Sequence, residues 1–184
     1  PMDLEEFMLA LGENELVNLI RKSFAENTPL PSALHDEALK IYHQYLVVGG
    51  MPECVMQFSK TKDYILIRHL QNMILLSYLN DMSKYNTKNE IKKTRIAYDN
   101  ITVQLSKKNT RFQYKLIKKG ARASEFENAI EWLTLSGIVS QVYRAEQIKK
   151  PLENYHDIDS FKIYIPVTGL LVEKKTSSQM IFSI

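Results

Sequence analysis

The stretch Leu46-Val47-Val48-Gly49-Gly50-Met51-Pro52-Glu53-Cys54-Val55 ends one helix and starts the next. An apolar run leads into two glycines, and a proline follows two residues later. Glycine permits positive φ and lets another group come close to bare backbone. Pro52 suits the first turn of the following helix, where its missing N–H costs nothing. The step therefore predicts two helices joined at a set angle. Taken alone, the spacing also fits an ordinary helix–helix turn, since Gly and Pro punctuate most loops.

The segments on both sides are helical in pattern. Asp3 is placed to cap a first helix, with Glu6 closing a capping box. Leu4, Phe7, Met8 and Leu11 recur at helical spacing, and Gly12 stops the run. Asn14 is placed to cap a second helix that turns Leu16, Leu19, Ile20 and Phe24 inward. Pro29 and Pro31 mark a loop. A third helix is expected from Leu34 to Val47, with Leu34, Ala38, Ile41, Tyr42, Tyr45 and Leu46 on its apolar face. After the glycines, a short helix is expected from Glu53 to Lys60, and Asp63 caps a long one to about Tyr85.

Beyond this point the pattern changes. Asn89 to Leu105 is a helix candidate. The basic stretch Asn109 to Lys119 carries Phe112, Tyr114, Leu116 and Ile117. Gly120-Ala121-Arg122-Ala123-Ser124 leads into an amphipathic helix with Phe126, Ala129, Ile130 and Leu133 on one side and Gly137 as its stop. Strands are expected over Ile138 to Tyr143 and Phe161 to Val167, separated by a polar loop that holds Pro151, Asp157 and Asp159. Three helices followed by a two-stranded ribbon is the plan of a winged helix. The expected fold is mainly α: a helical bundle over 1–85, a winged-helix domain with a small β-ribbon over 86–171, and a tail over 172–184.

Composition is that of a globular chain, with 45% hydrophobic and 24% charged residues among 184. No run approaches the ~20 apolar residues of a membrane span. The longest candidate, Tyr64 to Leu79, is interrupted by Arg68, His69, Gln71 and Asn72. With no signal peptide at the start of the chain, the expected compartment is the cytoplasm. Cys54 is the single cysteine, which rules out an internal disulfide and a cysteine-based zinc site. His35, His43, His69 and His156 show no ligand spacing. Net charge is +3 but uneven: residues 86–122 carry 11 basic and 2 acidic side chains, whereas the flanking regions are net acidic. Such a block attracts phosphate backbones or an acidic partner, or it is a solvated lysine face.

Further strings point to a family. They are Pro1-Met2-Asp3-Leu4-Glu5-Glu6-Phe7 with Ala10-Leu11-Gly12-Glu13, then Tyr45-Leu46-Val47-Val48-Gly49-Gly50-Met51-Pro52-Glu53. Gln113-Tyr114-Lys115 and Ile117-Lys118-Lys119-Gly120-Ala121-Arg122-Ala123 follow, then Glu127, Ala129, Ile130, Trp132, Leu133 and Gly137. The last are Phe161-Lys162-Ile163-Tyr164 and Thr168-Gly169-Leu170-Leu171. Together they make the chain resemble the central part of bacterial AAA-type ATP-binding proteins that carry an uncharacterised C-terminal region.

The resemblance implies a P-loop ATPase core, then a helical lid and winged helix, then a nuclease-like fold. This chain is expected to hold only the middle part, because it contains no G-x-x-x-x-G-K-[ST] phosphate cradle. ATP and Mg are thus implied for the whole protein and none for this chain. The expected partners are the ATPase core and the nuclease-like domain, with DNA the partner in the alternative reading, and without a membrane. The chain departs from the family at Val167, where an Asp is usual beside Thr168-Gly169.

The resemblance places Gly49, Gly50, Met51 and Pro52 over a nucleotide. Arg122, just before a helix, reads as a charge sensor or as a salt-bridge partner of Glu125 or Glu127. Lys107, Lys108, Arg111, Lys115, Lys118 and Lys119 interleave with Phe112 and Tyr114 in a pattern suited to nucleic acid. Against that stand Glu125, Glu127 and Glu131 on the helix that would read a groove. No catalytic constellation stands out. The expected function is a non-catalytic adaptor that couples nucleotide state to an effector domain; the alternatives are a DNA-binding winged helix and a protein–protein module.

Overall fold

A computed structural model describes residues 1–84, 87–107, 111–147, 149–151 and 155–170. The chain is mainly helical with a small antiparallel sheet, as expected. It divides into two compact units: Pro1–Leu75 with Val167–Ile184, and Leu76–Pro166. The expected tail and Lys108 lie outside the described residues.

In the first unit, α1 spans Leu4–Ala10 and α2 spans Asn14–Ala25. Asp3 and Glu6 form the reciprocal capping box, with both bonds at 2.9 Å. Asn14 is the first helical residue rather than the cap, and its amide donates back to the Gly12 carbonyl at 3.3 Å. Helix α2 buries Leu16 and Val17, but Leu19 and Phe24 are exposed, against expectation, Phe24 at 89%. The reason is length. Arg21 already reaches Glu5 in the first turn of α1, so Phe24, a turn further along, overshoots the seven-residue helix beside it.

Helix α3 (Ser32–Val48) and α4 (Pro52–Thr61) are the two arms of the glycine join. Pro52 opens α4, as its fixed φ favours. Helix α5 spans Tyr64–Ser83 and leads out of the unit. The Asp63 carboxylate caps it by accepting from the Ile65 and Leu66 N–H groups at 2.8 and 3.1 Å. Phe7, Val48, Cys54, Val55, Phe58 and Ile67 are essentially inaccessible and form one core. Within it Phe7 stacks on Phe58 at 6.2 Å and meets Tyr45 edge-on at 5.4 Å.

In the second unit, α6 (Lys88–Leu105) starts at a Thr87–Glu90 capping box. The short α7 spans Tyr114–Ile117 and α8 spans Ala123–Leu135. Strands β1 (Ser140–Ala145) and β2 (His156–Tyr164) pair antiparallel, with Val142 opposite Lys162 and Tyr143 opposite Phe161. Asp157 and Asp159 therefore belong to a strand and not to the expected loop, and residues 168–170 are helical. The core of this unit holds Ala97, Tyr98, Ile101, Phe112, Phe126, Ile130, Leu133, Ile138, Val139, Phe161 and Ile163. Phe112, one of the aromatics in the basic stretch, is thus a core residue, stacked on Phe161 at 5.4 Å.

Candidate functional site

The glycine join is built by close approaches of backbone. Gly49 adopts φ +73°, where a side chain would be strained. A Cβ there would lie 2.9 Å from Gly169 N and 3.0 Å from Val167 Cγ1. At Gly50 a Cβ would run into the Met2 carbonyl oxygen and lie 2.9 Å from Met2 N. The Met2 N–H donates to the Gly50 carbonyl at 2.6 Å, and the Tyr45 hydroxyl donates to the Met2 carbonyl at 3.0 Å. On the other side, the buried Gln71 amide donates to the Val47 and Val48 carbonyls at 2.9 and 3.0 Å. Those carbonyls sit at the end of α3, where they lack helical partners.

The two glycines therefore admit main chain from Met2 and from Gly169. What the join presents outward is Pro52 and Glu53, both exposed, with Met51 half-buried. Cys54 behind them is inaccessible, and burial pushes its thiol up to about 11 from an ordinary 9.0, with Glu53 adding to the shift. Its folded value lies above its unfolded one, so the stabilisation from keeping it neutral is complete below about pH 9 and is lost as pH rises toward 11. Denaturant melts between pH 8 and 11 should therefore show a shallower decline for Cys54→Ala than for the parent chain; parallel curves would contradict this.

Arg122 is exposed at the N-cap of α8 and makes no side-chain capping bond. Among the described residues it pairs with neither Glu125 nor Glu127; Glu125 instead meets Lys118 at 3.9 Å. Lys107, Arg111, Lys115, Lys118 and Lys119 are all exposed. Two side-chain amides of α6, buried at Gln104 and half-buried at Asn100, hold the segment around α7. Gln104 donates to the Gln113 carbonyl at 2.9 Å and accepts from the Gln113 N–H at 3.0 Å. Asn100 donates to the Leu116 carbonyl at 2.9 Å. Beyond Gln113, the Phe112 N–H donates to the Phe161 carbonyl of β2 at 2.8 Å.

A family profile matches residues 39–178. The chain belongs to the family described as Domain of unknown function (DUF8612). The DUF8612 match takes in the glycine join, Gln71, Arg122 and the whole second unit, and starts within α3. No curated protein matches the chain, and no solved structure does.

Sequence reasoning missed several positioning residues within the DUF8612 region. Gln71 is the clearest: a polar residue on a helical stripe between Ile67 and Ile74, whose burial only tertiary structure reveals. Gly169 carries no local signal of its own in the sequence, yet a Cβ there would sit 2.6 Å from the Val48 carbonyl oxygen. Among the described residues no group of three or more metal-ligating side chains converges, and no helix is long and apolar enough to cross a membrane.

Proposed function

We propose that this chain is a non-catalytic lid and winged-helix adaptor, which couples the nucleotide state of an AAA-type P-loop core to an effector domain. The observation that carries it is the Phe112–Phe161 backbone bond. It ties a residue from between α6 and α7 to β2 of the ribbon, and this supports a winged-helix reading of the second unit. The first unit supports the lid role through Pro52, exposed at the start of α4 beyond a join stiffened by Met2 and Gln71. ATP and Mg are cofactors of the core in this reading. Pro52 and Met51 would meet the base and the glycines would hold the turn instead of touching nucleotide, while Arg122 stands separately as a charge-sensor candidate of the second unit.

The test joins the chain to its P-loop core and titrates nucleotide. Pro52→Ala should weaken affinity or turnover several-fold while thermal stability stays close to the parent's, because the residue is exposed. Unchanged affinity and turnover would overturn the lid role.

A DNA-binding winged helix is the second reading, and one observation favours it. Arg111, Arg144 and Lys162 line a single groove of about 350 Å³ on the ribbon, beside Tyr143 and Tyr164. A gel shift with duplex DNA that weakens steeply with salt would support it; no shift at low salt would remove it.

A further inference from the structure

A second groove, of about 450 Å³, lies in the second unit between α7, α8 and the ribbon. Its floor is Phe161, flanked by Tyr114 at 6.4 Å and by Tyr143 at 5.8 Å between ring centroids. Glu127 and Glu131, one turn apart on α8, form its acidic wall, and Ile158, 68% exposed, is part of its lining.

Both glutamates are exposed, and neither has an ion-pair partner among the described residues. Like charges at this spacing repel along a helix. The segment 86–122 is rich in lysine and arginine, yet Lys118 pairs with Glu125 and no lysine or arginine is among the described residues that line the groove. The groove thus combines ring faces with two carboxylates. A phosphate backbone would be repelled there. A guanidinium suits it on three counts: it stacks on aromatic faces, forms bidentate bonds to carboxylates, and lays its aliphatic stem along an apolar residue such as Ile158.

We propose that this groove docks an arginine side chain presented by a basic segment of a partner protein. The volume falls in the ~300–1,000 Å³ range of specific ligand sites. The proposal stands on the groove alone and holds whether or not the adaptor is driven by an ATPase.

The experiment titrates the whole chain with fluorescein-labelled hexa-arginine and follows anisotropy. Saturable binding is expected, with hexa-lysine several-fold weaker because ammonium lacks the planar fork. E127Q/E131Q should weaken hexa-arginine binding by about tenfold or more. E15Q/E37Q, the same charge change on exposed residues of the first unit, should not. Tyr143→Phe should bind like the parent, and Tyr143→Ala should bind several-fold more weakly, since the ring carries the contact. Melting curves of the glutamine variants, which alter exposed side chains, verify that they fold. No saturable binding, equal losses in the two double variants, or equal affinity for hexa-lysine would each overturn the proposal.

Discussion

Gly50→Ala is expected to cost the first unit about 2–4 kcal/mol, because the new methyl must displace backbone and not a movable side chain. A Cβ would stand against Met2, with N and C of that residue at 2.9 and 3.0 Å. Either the Met2 segment leaves, and with it the Met2–Gly50 and Tyr45–Met2 hydrogen bonds, or the α3–α4 join opens. The melting transition should fall by roughly 10–20 °C for a unit of this size. The internal comparison is Gly12→Ala. Gly12 also has positive φ, at +89°, but nothing lies within 4 Å of its Cβ position. Its substitution carries only the left-handed penalty of about 1–2 kcal/mol. Equal melting points for the two variants would show that the close approach at Gly50 does not matter.

The second large effect is at Phe7. Its ring is fully buried, stacks on Phe58 of α4 and meets Tyr45 of α3. Phe7→Ala removes the ring from a junction of α1, α3 and α4 and leaves a cavity, at a cost of about 3–5 kcal/mol. Phe24→Ala, on the 89% exposed ring of α2, should change stability by less than about 0.5 kcal/mol. Urea denaturation of both variants separates them, and a similar midpoint shift for the two would refute the burial assigned to Phe7.

These two pairs show what could be read from the chain and what could not. Phe7 and Phe24 look alike as sequence: each is an aromatic on a helical stripe. Only the length of the neighbouring helix decides which is covered, and periodicity says nothing of a neighbour's length. The helices themselves were legible because local chemistry sets them. Asp3 with Glu6, and Asp63 before α5, satisfy N–H groups within a few residues of their own position. The start of β2 lies earlier than composition suggests because His156 and Asp157 pair with Ala145 and Arg144 of β1, across a register shift from Phe161, through contacts that a polar stretch hides.

The glycine join was legible as a turn but not in its tenants. That Gly49 and Gly50 would admit other backbone follows from having no side chain. That the backbone would come from Met2 and Gly169 depends on chain segments more than 40 and more than 100 residues away. The groove on the second unit was invisible for the same reason. Tyr114, Glu127, Tyr143 and Phe161 carry no shared spacing, and they meet because Gln104 and Asn100 clamp α7 while residue 112 joins the ribbon.

The second unit is inserted into the first, whose closing segment is Val167 to Leu170. On the ribosome, therefore, residues 76–166 can emerge and collapse while Gly49 still waits for Gly169. The unit begun first is completed last: its helices and core come from residues before 76, and the backbone at Val48 and Gly49 stays uncovered until Gly169 arrives.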